Sequence, residues 1–142
     1  MHEIRQGLEE NVRELIIRQA QWSEETNDLF VAADMYSELK QYDKAVSILR
    51  QQKAYDRIAK IVRLLPKTDV ANLKLCAKAL QNSNRLDYCR EVFQKLGDWP
   101  SLGKLFADHE MWEEAFTLAG TYSELENVIF LPYANWLVAR DR

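Results

Sequence analysis

The sequence predicts an all-α protein, a right-handed α-solenoid of antiparallel helical hairpins. Three observations support this prediction. Apolar residues recur at helical spacing along almost the whole chain of 142 residues, only four Gly and three Pro interrupt them, and long β-branched runs are absent. The connections between the apolar stripes are too short for a domain boundary or a long functional loop. We therefore expect nine or ten short helices in one continuous array.

The first half of the chain carries five apolar stripes, each of which marks a helix. The first stripe is expected to be buried against another element. The five stripes are Leu8, Val12, Leu15, Ile16 and Ala20; Leu29, Ala32, Ala33 and Tyr36; Tyr42, Ala45, Ile48 and Leu49; Tyr55, Ile58, Ile61, Val62 and Leu65; and Leu73, Cys76, Ala77 and Leu80. The second and third helices are joined so tightly that they must form an antiparallel hairpin. Pro66 stops the fourth helix, whose partner the sequence leaves open, and Thr68 or Asp69 can cap the fifth.

The second half of the chain continues the pattern after Asn82, Ser83 and Asn84, whose side chains favour a turn. Gly97 is expected to end one helix, Asp98 to cap the next, and Pro100 to lie in that helix's first turn, where its missing N–H costs little. The apolar stripes here are Leu86, Cys89, Val92, Phe93 and Leu96; Trp99, Leu102, Leu105 and Phe106; Trp112, Ala115, Phe116 and Ala119; and Phe130, Tyr133, Ala134 and Leu137.

The hairpins resemble one another in the manner of degenerate tetratricopeptide-like repeats. The template pairs small residues, which let helix backbones approach, with aromatic residues that fill the neighbouring gap. The small residues Ala33, Ala77, Gly103 and Ala134 are separated by 44, 26 and 31 positions, whereas a regular array keeps roughly 34. The predicted repeat-core residues are Ala33, Tyr36, Ala45, Ala77, Cys89, Trp99, Leu102, Gly103, Phe106, Trp112 and Ala115.

The last repeat is incomplete in the sequence. If Phe130, Tyr133, Ala134 and Leu137 form the first helix of a further hairpin, Arg142 falls where the second helix should begin. Such a half-hairpin exposes its apolar face, whereas natural arrays end in polar capping repeats. We therefore expect residues 1–142 to form a single tetratricopeptide-like domain that is a fragment of a longer chain, truncated mid-repeat at its C-terminal end.

Composition and charge argue against several classes of partner and site. The net charge of −3 and the pI near 5.5 give no support for a nucleic-acid partner. No apolar stretch approaches the roughly 18 residues of a membrane span, so direct membrane insertion is not expected. Cys76 and Cys89 lie on the apolar sides of predicted helices and are read as small core residues. Two cysteines and scattered histidines do not make a zinc set, so neither a metal nor any other cofactor is expected.

The sequence does not predict an enzyme, because no nucleophile, base and orienting group come together. His2 falls at a chain end, and His109 falls at a helix terminus, where capping or packing explains it. The acidic pairs Glu24/Glu25 and Glu113/Glu114 lie at or near predicted helix starts, where the positive helix end accounts for them. No Gly-rich phosphate loop is present. We therefore expect no catalytic residues.

Binding surfaces are the more plausible functional features. Trp99 and Trp112 fall on repeat-core positions, whereas Trp22 or Trp136 could serve as an aromatic anchor on a concave surface. The spacing of Lys53, Arg57 and Lys60 places them on one helix face, joined less closely by Arg63 and Lys67. This stripe is either a solvated face or a docking site for an acidic partner segment.

Three segments in the C-terminal third carry a family resemblance. They are Leu96-Gly97-Asp98-Trp99, Trp112-Glu113-Glu114-Ala115-Phe116 and Leu131-Pro132-Tyr133-Ala134-Asn135-Trp136-Leu137. In this order they resemble the intraflagellar transport protein 122 family, whose members are subunits of intraflagellar transport complex A. Residues 30–80 fit the family more loosely, through Ala32-Ala33-x-Met35-Tyr36 and Leu75-Cys76-Ala77.

The resemblance implies a non-catalytic scaffold within a longer protein that has N-terminal WD-repeat propellers and a C-terminal tetratricopeptide-like solenoid. The implied partners are other complex A subunits and ciliary cargo adaptors. The implied role is retrograde ciliary transport and ciliary entry of membrane proteins, in the axoneme and basal body of a cilium or flagellum and in the cytoplasm. Two alternatives remain open at this point: the solenoid of a vesicle-coat or tethering subunit, and a peptide-binding tetratricopeptide adaptor.

Overall fold

Nine α-helices and one 3₁₀ turn make up the part of the chain that the structure, a computed structural model, describes, which is residues 2–141, with side chains from residue 3. The helices are α1 (His2–Glu25), α2 (Leu29–Glu38), α3 (Tyr42–Gln51), α4 (Tyr55–Leu64), α5 (Val70–Leu80), α6 (Leu86–Leu96), α7 (Trp99–Asp108), α8 (Trp112–Thr121) and α9 (Glu126–Arg140). The 3₁₀ turn is Ser123–Leu125. No strand occurs among these residues, in agreement with the all-α prediction. The side chain of His2 and the whole of Arg142 lie outside the described residues.

The chain divides into two compact units, Met1–Arg85 and Leu86–Arg142. In the first unit, α2 packs between α1 and α3 as two successive hairpins with three-residue turns. The helix whose partner the sequence left open, α4, packs against both α3 and α5, and α3 also contacts α5. Ile58 and Leu73 are completely buried in this unit, which makes its centre an aliphatic core.

The second unit is organised around α7, which packs against α6, α8 and α9. Leu102 and Phe106 of α7 are buried, and Leu125 of the 3₁₀ turn and Ile129 of α9 close the core from the other side. Gly103 of α7 lies where this helix meets α8 and α9. A Cβ atom at this position would lie 3.6 Å from Ile129 Cδ1 and 3.7 Å from Leu118 Cδ2. These are ordinary van der Waals distances, so the helix approach would also accommodate alanine.

A single type of turn joins most consecutive helices. In five turns a residue with positive φ follows the helix, and its N–H together with the next N–H returns to carbonyl groups of the last helical turn, the double hydrogen bond of a Schellman motif. The positive-φ residues of these turns are Asn27, Lys40, Lys53, Gly97 and Glu110. Neighbouring turns within each unit are 13 residues apart, and Asn84, which also has positive φ, precedes Gly97 by the same interval. The structure therefore repeats in units of one helix and one turn.

The helix boundaries expected from the sequence are confirmed at several capping residues. The Asp69 side chain accepts a hydrogen bond from Asn72 N, and the Asp98 side chain accepts one from Ser101 N at 3.3 Å. Pro100 lies in the first turn of α7, and Gly97 ends α6 with φ of 69°. α4 ends just before Pro66. These residues fix where each helix starts and stops before any packing is considered.

The predicted repeat-core residues are mostly buried. Trp99 and Trp112 are half-buried instead. The buried members are Ala33, Tyr36, Ala45, Ala77, Cys89, Leu102, Gly103, Phe106 and Ala115. The two tryptophans therefore contribute to the surface as well as to packing.

Candidate protein-interaction surfaces

Exposed apolar side chains are concentrated on the two terminal helices. Of the fourteen large hydrophobic residues exposed in the described part of the chain, five lie on α1 and five on α9. Those on α1 are Ile4, Leu8, Val12, Leu15 and Trp22, which we term the N-terminal apolar face. Those on α9 are Val128, Phe130, Leu131, Leu137 and Val138, and Phe130, Leu131, Leu137 and Val138 form what we term the C-terminal apolar face. Contiguous exposed apolar surface of this kind is typical of a protein-interaction site.

The N-terminal apolar face corrects the expectation that the first stripe is buried. At 100° per residue its five side chains fall within an arc of about 80° and extend over about 27 Å of helix. Ile4 is 67% exposed and Trp22 66% exposed. α2 packs on the adjoining side of α1, where Ala20 is completely buried and Ile16 half-buried. The stripe predicted from the sequence thus spans two neighbouring faces, of which only one is covered within this unit.

A groove lies beside the N-terminal apolar face, where the first half of α1 extends past the end of α2. Its volume is about 380 Å³, and its lining is mainly apolar, with Leu8, Val12, Ile16 and Leu39. The Arg13 guanidinium donates a hydrogen bond to the Leu39 carbonyl oxygen at 3.1 Å. Leu39 is the C-cap residue of α2, so Arg13 satisfies a carbonyl group at the end of that helix and links it to α1.

The C-terminal apolar face adjoins the side of α9 that packs on the rest of its unit. On the packed side Ile129 is completely buried, and Tyr133 and Trp136 are half-buried. Phe130 lies at the boundary, with its ring centroid 5.6 Å from that of Phe116 on α8, and it is exposed, as is Leu137. The prediction that the final helix exposes an apolar face is therefore confirmed, although one side of the helix is packed. Pro132 lies inside α9 without ending it.

An aromatic cluster joins α8 to α9. The Trp112 ring centroid lies 5.2 Å from that of Tyr133 and 5.5 Å from that of Trp136, and Phe116 meets Tyr133 edge-on at 4.8 Å. The Arg140 guanidinium lies 4.7 Å from the Trp136 ring centroid. Trp136 thus belongs to this cluster, whereas Trp22 is the freely exposed aromatic residue of the two that sequence reasoning left open.

The predicted basic stripe is not a continuous helix face. α4 begins at Tyr55, so Lys53 lies in the preceding turn, with φ of 55°. The Arg57 guanidinium lies 4.2 Å from the Phe30 ring centroid and 3.8 Å from Asp34 Oδ1, which ties this side chain to α2. Lys60 is exposed on α4. Two of the three cations are therefore exposed, while the middle one is already engaged within the unit.

Two grooves that sequence reasoning missed lie across the helix triplets. The groove across α6, α7 and α8, termed the α6–α8 groove, has a volume of about 380 Å³. Its floor is formed by Trp99, Leu102 and Phe106, and its walls by Arg90 and Gln94 on α6 and by Glu113, Glu114, Thr117, Leu118 and Thr121 on α8. Trp99 stacks on Tyr122 with ring centroids 4.8 Å apart.

The second groove, termed the α1–α3 groove, has a volume of about 590 Å³ and lies across the first three helices. Tyr36 forms its floor, and its walls are Gln21 and Glu24 on α1 and Asp43, Lys44, Ser47, Ile48 and Gln51 on α3. A sequence signal for both grooves exists in the repetition of lining positions, but it becomes visible only once the three helices are known to lie side by side.

Comparison with known proteins assigns these units to a family. The family model described as "IFT122, TPR domain" matches residues 4–142, which is nearly the whole chain. The chain belongs to the IFT122 TPR domain family. This confirms the resemblance found in the sequence and, with the helical structure, the prediction of an all-α tetratricopeptide-like fold. The right-handed sense of the array stays a prediction.

The chain is similar to individual intraflagellar transport proteins. The intraflagellar transport protein 122 homolog of Mus musculus is 32% identical over 136 residues, covering 96% of this chain and 12% of the relative. The homolog of Homo sapiens is also 32% identical, with 96% and 11% covered. The intraflagellar transport protein 172 homolog of Danio rerio is 24% identical over 115 residues, covering 80% of the chain and 7% of the relative. The chain therefore spans about an eighth of the length of its IFT122 relatives.

The titratable groups of this IFT122-family chain support packing roles. Burial, and secondarily the charge of Asp69, raises the pKa of the Cys76 thiol to about 12, so the thiolate that would act as nucleophile or metal ligand is disfavoured. Burial, together with a hydrogen bond to Glu24 and its charge, raises the pKa of Tyr36 to about 12. His109 Nδ1 lies 2.9 Å from the Leu105 carbonyl oxygen, the capping contact expected for it.

Neither a cluster of metal-binding side chains nor a membrane-spanning helix occurs among the described residues. Within residues 2–141, no group of three or more His, Cys, Asp and Glu is placed to hold a metal ion. None of the helices described is long and apolar enough to cross a membrane.

Proposed function

We propose that the chain is a non-catalytic scaffold segment of an intraflagellar transport A subunit, which works by binding other complex A subunits and ciliary cargo adaptors. It acts in retrograde ciliary transport and in ciliary entry of membrane proteins, and it resides in the cilium or flagellum, at the axoneme and basal body, and in the cytoplasm. Membership of the IFT122 TPR domain family supports this setting. Neither nucleic acid nor the membrane interior is a partner.

The observation that carries the scaffold role is the concentration of exposed apolar surface on α1 and α9. A helix buries apolar residues to be stable, and a side chain of this size contributes about 1.5–3 kcal/mol when fully buried. The nine residues of the two faces are 42–67% exposed, which forgoes part of that stabilisation, whereas a partner helix lying on either face would recover it. The N-terminal and C-terminal apolar faces are therefore contact surfaces for further helices.

The same observation supports a tetratricopeptide-like segment that belongs to a longer chain. Each repeat in such an array contacts its neighbours through the outer faces of its first and last helices. The N-terminal apolar face and the C-terminal apolar face occupy these positions, and the IFT122 relatives are about eight times longer than this chain. Neighbouring helical hairpins of the full-length protein are the partners that fit both faces.

The basic stripe remains a proposed docking site for an acidic partner segment. Because Arg57 is engaged with Phe30 and Asp34, we assign this role to Lys53 and Lys60, whose charges are exposed. Exposed charges of this kind contribute little affinity each, but they steer association and select partners of opposite charge.

A pull-down of the full-length protein from ciliated cells, analysed by mass spectrometry, tests both parts of this proposal. The test variant is Lys53→Glu/Lys60→Glu, and the control is Lys40→Glu/Lys74→Glu. Lys40 occupies the same turn position as Lys53 one helix earlier, and Lys74 is exposed on α5, so the control changes net charge equally. Co-purification of complex A subunits with the wild-type protein is expected, as is loss of one of them in the test variant alone.

Other outcomes distinguish the ciliary setting, the docking role of the two lysines and the non-catalytic role. Recovery of vesicle-coat or tethering subunits in place of complex A subunits would overturn the ciliary assignment while leaving a scaffold role. Equal recovery of every subunit by the test variant and the control would refute docking at Lys53 and Lys60. Turnover of a small-molecule substrate by the purified chain would refute the non-catalytic role.

A further inference from the structure

The α1–α3 groove and the α6–α8 groove are equivalent positions of one repeated structure. Tyr36 and Phe106, which form the two floors, are 70 residues apart, and both lie in the last turn of the middle helix. The same interval relates the remaining lining pairs Glu24/Gln94, Asp43/Glu113, Lys44/Glu114, Ser47/Thr117, Ile48/Leu118 and Gln51/Thr121. Differences between the two grooves can therefore be assigned to side chains at matched positions.

In the α1–α3 groove, side chains of both walls interact with the aromatic residue of the floor. The Lys44 ammonium lies 5.3 Å from the Tyr36 ring centroid, so a cation of the α3 wall already covers the aromatic floor. Glu24 of the opposite wall hydrogen-bonds to Tyr36, an interaction that also contributes to the raised pKa of that phenol. Floor and walls are thus linked by a cation–π contact and a hydrogen bond.

The α6–α8 groove carries different side chains at the matched positions, and the cation that covers its aromatic floor comes from the α6 wall instead. Glu114 replaces Lys44, so the α8 wall presents two neighbouring carboxylates, Glu113 and Glu114, both exposed. Phe106 and Gln94 replace the hydrogen-bonded Tyr36 and Glu24, so the phenol hydroxyl and its carboxylate partner have no counterpart here. Trp99, half-buried, adds a second aromatic ring to that floor. The sole cation of the lining, Arg90, lies on the opposite wall, with its guanidinium 5.3 Å from the Phe106 ring centroid.

We propose that the α6–α8 groove binds a short segment of a partner protein that carries an apolar side chain next to a lysine or arginine. The apolar side chain contacts Trp99, the half-buried aromatic residue of the floor, and the cation lies against the exposed Glu113 and Glu114. Arg90 keeps its contact with Phe106 on the opposite wall. The ligand chemistry therefore follows from charge complementarity with the two carboxylates of the α8 wall, where the α1–α3 groove has Asp43 and Lys44.

The charge distribution gives the bound segment a direction. The α8 wall is anionic and the α6 wall carries Arg90, so a segment with its cation on the α8 side is attracted, and the reversed orientation brings like charges together. A volume of about 380 Å³ lies at the lower end of the range for binding pockets, which fits one or two side chains rather than a folded domain. This surface is separate from the two apolar faces and from the basic stripe, so it can be tested independently of the proposed function.

The test measures binding of labelled peptides to the 142-residue chain by fluorescence anisotropy. The probe is a short peptide of alanine and glutamine with a central pair of leucines flanked by lysines. Two matched probes carry glutamates in place of the lysines, or alanines in place of the leucines. We expect saturable binding of the lysine–leucine probe at least tenfold tighter than either matched probe, and weaker binding as salt is raised.

Variants locate the site. Glu113→Lys/Glu114→Lys is expected to weaken the lysine–leucine probe at least tenfold, whereas Glu124→Lys/Glu126→Lys, exposed acidic residues outside the groove, is expected to leave binding within twofold. Circular dichroism of each variant confirms that the helices are retained. In spectra of the ¹⁵N-labelled chain, the Trp99 indole signal, assigned by its loss in Trp99→Phe, should shift on titration, while that of Trp22 should not.

Three results would each overturn the inference. They are the absence of saturable binding by the lysine–leucine probe, equal binding of the lysine and glutamate probes, and undiminished binding to Glu113→Lys/Glu114→Lys in a variant that retains its helices. Binding accompanied by a shift of the Trp22 indole signal and none of Trp99 would place the peptide on the N-terminal apolar face and would likewise refute the groove assignment.

Discussion

Replacing Glu110 by glycine should stabilise the second unit, although the substitution removes every side-chain atom. Glu110 follows α7 with φ of 58°, a conformation that L-residues rarely adopt. Its N–H donates to the Ala107 carbonyl oxygen at 3.1 Å, and the next N–H, of Met111, donates to Phe106 O at 2.8 Å. The turn depends on these backbone hydrogen bonds, which glycine preserves. At the equivalent position 13 residues earlier, the chain already has Gly97 with φ of 69°.

The magnitude follows from two opposing terms. A left-handed conformation costs a residue with a Cβ atom roughly 1–2 kcal/mol. Glycine removes that cost but loses more backbone freedom on folding, which costs about 0.5–1 kcal/mol. Glu110→Gly should therefore raise the free energy of unfolding by about 0.5–1 kcal/mol, and Gly97→Ala should lower it by a similar amount.

Urea denaturation followed by far-ultraviolet circular dichroism measures both changes, provided that the slope of the transition stays constant. The control is Lys104→Gly, an exposed position inside α7, where glycine is expected to cost about 1 kcal/mol. If Glu110→Gly destabilises the protein as much as Lys104→Gly does, position 110 does not hold the left-handed conformation, and the account of the repeated turn is wrong.

Four further predictions concern single positions. Gly103→Ala should raise the free energy of unfolding by about 0.5–1 kcal/mol, since its Cβ would meet Ile129 at an ordinary distance of 3.6 Å; a loss in the same urea assay would show that the helices are closer. Asp98→Ala should cost about 1 kcal/mol by removing the cap of α7, whereas Asp98→Asn should retain most of it. Leu15→Gln should change stability by less than about 0.5 kcal/mol, because this side chain is mainly exposed, whereas the buried Leu73→Ala should cost about 2–5 kcal/mol. Folding raises the pKa of the Cys76 thiol from 9.0 to about 12, so the unfolded state loses this proton at a lower pH than the folded state does. The free energy of unfolding should therefore fall by up to about 1.4 kcal/mol per pH unit as the pH rises from about 9 to about 12. Cys76→Ala should lack this part of the pH dependence.

The helices could be predicted from the sequence because their limits are set by local chemistry. Pro66 ends α4, Asp98 caps α7 and Gly97 terminates α6, and each acts through its own backbone or side chain. Apolar residues at helical spacing predict the remaining parts of the helices, because such residues lie on one face only when the segment is helical. These signals require no knowledge of the neighbouring helices.

The turns show where local signals stop being sufficient. Positive φ occurs at three residues that are not glycine, so the sequence does not predict it there: Lys40, Lys53 and Glu110. Pro132 is the opposite case, because α9 continues through a residue that usually breaks a helix. Ile129 and Tyr133, on either side of this proline, pack against the other helices of the unit, which offsets the missing hydrogen bond. Residue type alone would have assigned both conformations differently: backbone hydrogen bonds hold the turns, and tertiary packing holds α9 through Pro132.

The interaction surfaces could be predicted only in part, for a related reason. Apolar periodicity on α1 shows that side chains such as Leu8 and Ala20 share a broad face, but not that α2 covers Ala20 and leaves Leu8 exposed. The spacing of Lys53, Arg57 and Lys60 predicts a common helix face, but Lys53 lies in the turn before α4, and the contact of Arg57 with Phe30 is a property of packed helices. The two grooves require three helices side by side, and their lining residues are dispersed along the sequence.

Repetition also indicates where specificity is to be found. Matched positions that keep their character, such as Ile48 and Leu118 or Ser47 and Thr117, maintain the shape that the two grooves share. Matched positions that change charge, above all Lys44 and Glu114, leave that shape intact while altering what the groove attracts. A substitution that exchanges these two residues therefore changes recognition without changing the fold. On this reasoning Glu114→Lys should give the α8 wall the cation that Lys44 supplies to the α3 wall and remove one of the two carboxylates that attract a partner's cation.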